Sequence, residues 1–214
     1  AYQRTSDRNS SAVEEQDPQN LLLHRQNIRR MTSESLRDSI LYVAGSLNEK
    51  QFGPPVGVHL TEFMQGRGRP KGGPLDGQGR RSIYISVRRN FLSPMMLTFD
   101  TPIPFSTVGR RNQSNVPAQS LTLMNDPFVH DQANKWAQAM LKDGRSDAAE
   151  RVDAMFMKAI GRAPSADERG AALGFLKSSA AQLNLPEDKL MTDLGPWREL
   201  SHAMFNLKGF SYVR

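Results

Sequence analysis

Arginine and its partners crowd the middle of this chain. Between Asp76 and Gln119 stand Arg80, Arg81, Arg88, Arg89, Arg110 and Arg111, interleaved with Asp76, Tyr84, Asp100 and Gln119. A guanidinium is planar and presents its donors as a fork, which suits carboxylate, sulfate or phosphate. One reading is an anion or acidic-sugar site, with Asp76, Arg80, Arg81, Tyr84, Arg88, Arg89, Asp100, Arg111 and Gln119 as candidate ligand-binding residues. The other is an Arg–Asp–Asn network that fixes long irregular loops, whose backbone groups need partners. Ion-pair networks of this kind are often structural, and the network reading is preferred. Residues 81–88 alternate apolar and polar, which predicts a strand. On it Arg80 and Arg88 would share a face with Tyr84, and Arg81 and Arg89 the other with Ile83 and Ile85. One set could then be buried against Asp76 or Asp100.

A second cationic feature precedes this stretch. Arg67-Gly68-Arg69-Pro70-Lys71-Gly72 matches the core of an AT-hook, in which an extended Arg-Gly-Arg lies in the narrow minor groove of A·T-rich DNA. A single copy in a Gly/Pro-rich segment is equally what a solvated basic loop looks like, and nucleic acid is the disfavoured partner.

The remaining chemistry is sparse. His24, His59, His130 and His202 form neither HxH nor HExxH spacing, so no metal site is assigned. There is no GxSxG elbow and no GxxxxGK[ST] phosphate loop. No carboxylate pair recommends itself as general acid and base. Catalytic residues therefore stay unassigned, no cofactor is expected, and the balance leans away from an enzyme. The absence of cysteine excludes disulfides, zinc thiolates, cysteine nucleophiles and covalently attached c-type haem. The formal charge of +6, from 28 Lys+Arg against 22 Asp+Glu, favours acidic partners unless the excess is spread or internally paired.

The elements that must position these residues are mostly helical. Residues 1–17 read as a polar arm or linker, and 18–214 as a single mostly helical domain with a candidate subdivision near 117–126. Asp17-Pro18 reads as a helix start, with Leu21, Leu22, Arg25 and Ile28 on one face. Thr32 or Ser33 caps a helix carrying Leu36, Ile40, Val43, Ala44 and Leu47, ending near Asn48. The Gly/Pro density of 53–79 forbids a regular element. From Pro117 onward helix follows helix. One starts at Asn125-Asp126-Pro127 and ends at Gly144; one runs from Ser146 to Gly161. One opens on the capping box Ser165-Ala166-Asp167-Glu168, and one opens at Pro196. Phe210 and Tyr212 are expected core anchors. The fold class is mainly α: a helical domain with one short strand or β-hairpin and long irregular loops in the middle. No apolar run is long enough to span a membrane. The polar first residues carry no signal peptide, and the lack of an initiator Met is what a segment of a longer chain would show.

Several motifs in order carry a resemblance. They are Gly73-Pro74-Leu75-Asp76-Gly77, Arg80-Arg81-Ser82-Ile83-Tyr84, Val87-Arg88-Arg89-Asn90-Phe91, Phe99-Asp100-x-Pro102-x-Pro104-Phe105, and Asn115-Val116-Pro117-Ala118-Gln119. Asn125-Asp126-Pro127-Phe128, Gly161-Arg162-Ala163-Pro164 and the closing His202 to Tyr212 run complete the set. Over roughly residues 20–214 the chain resembles the planctomycete PSD-one family, Domain of Unknown Function 1553. The resemblance implies the C-terminal part of a large exported protein (periplasmic or extracellular), often with a cytochrome-c-like segment and encoded near polysaccharide-degrading functions. It implies no catalytic residues. The expected role is an accessory or interaction module. Its partners would be other domains of the same polypeptide or an anionic polysaccharide, met through the arginine cluster. A carbohydrate-active enzyme domain and DNA binding through 67–72 are the alternatives.

Overall fold

A computed structural model of the chain describes residue 6, residues 11–105 and residues 107–213. Among these are nine α-helices: α1 (Ser11–Gln16), α2 (Ser33–Ala44), α3 (Pro94–Thr98), α4 (Pro117–Asn125), α5 (Pro127–Leu141), α6 (Ala148–Ile160), α7 (Ala166–Gln182), α8 (Leu194–Phe205) and α9 (Lys208–Ser211). One antiparallel pair joins β1 (Arg29–Arg30) to β2 (Tyr212–Val213), with Arg30 opposite Tyr212. The molecule is mainly α with long irregular segments in the middle.

The helices begin where short polar side chains take up free backbone N–H groups. Thr32 caps α2 through the Ser35 amide, Asp126 caps α5 through Phe128, and Asp147 caps α6 through Glu150. Ser165 and Glu168 form the expected capping box of α7. Arg162 adds two 2.7 Å bonds to the Glu168 carboxylate. These bonds, with the Ser165 amide, hold that carboxyl at about 2. Gly45 and Gly161 end α2 and α6 in the left-handed conformation, which costs glycine no Cβ clash.

Several boundaries differ from the sequence expectation. No helix follows Asp17. Its carboxylate instead takes the Leu21 and Leu22 amides at 2.8 Å each, which closes a loop and turns Leu21, Leu22 and Ile28 to solvent. Part of the expected N-terminal arm, residues 11–16, is α1; residues 1–5 and 7–10 lie outside the described residues. Helix α2 stops at Gly45 rather than Asn48, and α5 stops at Leu141 rather than Gly144. Asp147 rather than Ser146 caps α6, and Asp193 starts α8 two residues ahead of Pro196.

The predicted strand at 81–88 is not one. Ser82–Tyr84 form a single tight turn, and the segment makes just isolated bridges, Val56 with Ile85 and Arg88 with Phe91, among the described residues. Alternation predicts a strand only if a neighbour supplies the ladder. Here Val56 alone bonds, donating to Tyr84 O and accepting from Ser86 N at 2.8 Å each. Ile83 is left 77% exposed. The paired residues are at the two ends of the described chain instead.

One apolar cluster runs from Leu36 to Phe210. In it α5 packs on α2 and α8, and α7 packs on α6 and α8. Trp136, Trp197 and Phe205 are fully buried, and the Trp136 and Phe205 rings lie 5.3 Å apart. Trp136→Ala is expected to cost about 3–5 kcal/mol, the range for emptying a large aromatic site. Urea unfolding checks this as a lower midpoint at unchanged slope.

Candidate functional site

The arginine stretch resolves into two internal ties and one exposed patch. The first tie is centred on a residue outside it, Arg37 of α2. This guanidinium is buried over the Phe128 ring at 5.3 Å. It donates to Arg80 O at 2.9 Å, Ser82 Oγ at 3.2 Å and Asp76 O at 2.7 Å. Asp38, one residue on, accepts from the Ser82 amide and hydroxyl at 2.7 Å each. The irregular segment 76–82 is thereby held to α2 by its backbone. Burial pulls the Arg37 guanidinium down, and the charges of Asp38 and Asp76 push it back up; it stays cationic at any ordinary pH.

The predicted residues of this region find separate tasks. Asp76 caps the turn 77–79 through the Gln78 amide at 2.9 Å and pairs with Lys135 of α5 at 3.2 Å. Arg80 is buried, lies 4.1 Å over the Tyr84 ring and donates to Phe52 O at 2.8 Å. The Tyr84 hydroxyl accepts from the Phe52 amide at 2.9 Å. Arg81 is mostly exposed and 3.6 Å from Asp38. Arg80 and Tyr84 thus meet, as the strand reading expected, but through a turn.

The second tie gathers Asp100, Gln119 and two residues that sequence reading passed over, Arg30 and Ser114. Arg30 is buried beside Phe99; it donates to Asp100 Oδ2 at 2.5 Å, Ser114 O at 3.1 Å and Met31 O at 3.0 Å. Asp100 also accepts from the Ser114 amide at 2.7 Å and from its hydroxyl. Gln119 is buried and donates to Thr98 O and Ser114 O. Burial alone would raise the Asp100 carboxyl. The Ser114 bonds and the Arg30 charge outweigh it and hold the group below the usual 3.8. Asp100 has φ 62°, a left-handed conformation stabilised by these bonds. Arg111 reaches only the edge of this tie, donating to Asp100 O at 3.4 Å, and pairs mainly with Glu34 at 2.9 Å.

Arg88 and Arg89 are exposed and make no ion pair among the described residues. Phe91 connects them to the basic loop before them. Its amide bonds Arg88 O at 2.9 Å, and its ring touches the chain at Gly66, where a Cβ would sit 3.8 Å from Phe91 Cζ. Arg67 follows Gly66 in that loop and is exposed. Arg69 is folded back, its guanidinium donating to Met64 O at 2.9 Å and Thr61 O at 3.3 Å. With Gly68 at φ 76°, the Arg-Gly-Arg segment is a closed turn rather than the extended strip a minor groove takes.

A cavity of about 530 Å³ adjoins the Arg37 tie, between the segment near His59, α3, α4 and the start of α5. Leu75, Met95 and Phe128 form apolar wall, and Arg37, His59 and Asp126 supply polar groups. Burial pushes the Asp126 carboxyl up, against the Phe128 and Val129 amides and the imidazoles of His59 and His130. Asp126 is the one carboxylate in this lining, so the cavity does not assemble the carboxylate pair of a typical glycosidase. Among the described residues no cluster of His, Cys, Asp and Glu could hold a metal ion.

Arg37 could have been found from sequence. It falls on the apolar face of α2 with Ser33, Leu36, Ile40, Leu41 and Ala44, and a cation there must find acceptors. Arg30 carries no such signal, because its partners lie about 70 and 84 residues away.

Arg37→Met is expected to lower stability by roughly 3 kcal/mol, since each acceptor left buried and unpaired costs about 1–3 kcal/mol. Asp100→Asn is expected to destabilise at pH 7. Because the folded carboxyl lies below 3.8, its contribution is full above that value and is lost as pH falls through the folded value. The gap in thermal midpoint between wild type and variant should therefore close in strong acid.

No curated protein and no solved structure matches the chain significantly. The family described as PSD1, protein of unknown function (DUF1553), matches residues 1–176, most of the chain. With its arginines tying irregular loops to a helical core, this chain belongs to the PSD1 (DUF1553) family.

Proposed function

We propose that this chain is a non-catalytic interaction module of a larger exported protein, and that it holds an anionic polysaccharide. The contact is the exposed patch of Arg67, Arg88 and Arg89, rather than the arginine cluster as a whole. One observation carries the reading: Arg88 and Arg89 are exposed and make no ion pair among the described residues, while Arg80 and Arg111 are engaged internally. A free guanidinium recognises sulfate or carboxylate as a planar fork. Three on adjacent loops match a repeating anion better than a single small one. Pairing at an exposed surface is weak per contact and strongly screened, because the Debye length is about 10 Å at 0.1 M salt.

A second reading, a carbohydrate-active domain, draws on the cavity with Asp126 and His59. A carboxyl pushed up by burial is shifted in the direction a general acid needs. It requires that Asp126→Asn abolish turnover of a glycan by this chain. If no glycan is cleaved by the wild type, that reading is gone.

Binding is tested by salt-gradient elution from immobilised heparin, with a sulfonate resin as the charge control. Wild type should be retained at low salt, and Arg88→Ala/Arg89→Ala should elute well earlier on heparin than on sulfonate. Arg111→Ala should elute within a few hundredths molar of wild type. Passage of the wild type through heparin at low salt removes the polysaccharide reading.

A further inference from the structure

We propose that His130 and His202 form an acid-sensitive latch that holds the last turn of α4, one wall of the Asp126 cavity, against α5 and α8.

The two rings come from different helices and meet with centroids 4.1 Å apart and planes tilted by 39°. Their Nε2 atoms reach consecutive carbonyls of one helical turn. His202 Nε2 is 2.9 Å from Leu123 O, and His130 Nε2 is 2.9 Å from Met124 O. A carbonyl oxygen only accepts, so both Nε2 atoms carry hydrogen and Nδ1 is where each ring takes up a further proton. Helix α4 ends at Asn125, which puts both carbonyls among the last four, those without a partner inside the helix. The imidazoles cap that end. The opposite side of the same turn, Leu121, Thr122 and Asn125, lines the cavity.

The first proton suits the site, because a cation at a helix C-terminus is favoured. The second does not. Two imidazoliums in ring contact repel at close range, and the half-buried His202 gives that repulsion less water to screen it than the exposed His130 alone would have. The surrounding charges do not cancel this. Helix α4 contributes no charged side chain. On α5, Asp131 is paired with Lys135, and Asp126 at the cap is itself pushed toward its neutral form by burial. On α8, Glu199 is paired with Arg198 at 2.9 Å. His59, on the segment across from Asp126, is a further imidazole that acts on the Asp126 carboxyl and supplies no negative charge. Burial draws the His202 imidazole below the usual 6.5. The Leu123 bond raises it, His130 lowers it further, and Glu199 partly offsets this. The unfolded chain thus takes the proton more readily than the folded one. The stabilisation from the neutral pair is full above about pH 6.5 and is lost as pH falls toward the folded value.

The test is amide hydrogen exchange of the full 214-residue chain at pH 7.5 and 5.0, corrected for the intrinsic rate. Wild type should lose protection in residues 119–125 relative to α6 on going to pH 5.0. His202→Gln keeps a neutral N–H donor and cannot titrate, so it should hold that protection at both pH values. If His202→Gln does not fold, His130→Gln carries the same expectation. The wild-type ring protons should then show two separated titration steps by NMR. Equal pH dependence in wild type and variant, or two independent titrations near 6.5, overturns the latch.

Discussion

A guanidinium placed inside a helical core must be given acceptors, and that requirement organises the middle of this molecule. Arg37 projects from α2 on the face that also carries Leu36, Ile40 and Leu41. The acceptors it finds are backbone carbonyls of a segment with no regular structure, at Asp76 and Arg80. Neither side is stable alone. The cation without the loop would be a buried unpaired charge, and the loop without the cation would leave carbonyls unsatisfied beside the core. Glycine is needed where the two meet. A Cβ on Gly77 would come within 2.7 Å of Arg37 Nη2, and its φ of 59° is one that side chains rarely adopt.

The same logic repeats at Arg30. There a short strand pair brings the beginning and end of the described chain together, and Arg30 reaches from it to Asp100 and Ser114. Two buried arginines thus anchor the segments flanking α3 to the helical frame. This division of labour decides which arginines are left for partners. Arg80 serves Phe52 and Tyr84, Arg111 serves Glu34, and Arg88 and Arg89 remain on the surface. The anion contact proposed above therefore falls on those two and the loop beside Phe91 rather than on the internal arginines.

The junction of α4 and α5 has a different character. It turns on Asp126, which ends one helix and caps the next, and on two histidines that cap the outgoing carbonyls. The latch proposed there responds to pH through imidazoles, whereas the arginine ties keep their charge at any ordinary pH. Rigidity near α2 and pH sensitivity near α4 are thus built from different side-chain chemistries in one core.

Local chemistry made much of this legible in the residues themselves. The helical class, the cap at Thr32, the capping box at Ser165 and Glu168, the left-handed stop at Gly161 and the apolar stripes of α2, α5 and α8 all depend on neighbours within one or two turns. The preference for a structural arginine network also follows from residue type, since buried guanidiniums need fixed acceptors. What only tertiary structure decided is pairing across distance. The alternating run 81–88 lacked a second strand, so it became a turn; Asp17 found two amides and closed a loop where a helix start was expected. Arg30 met Asp100, and His130 met His202, because packing brought remote segments together. Composition names the groups able to pair, while the choice among partners is a property of the closed core.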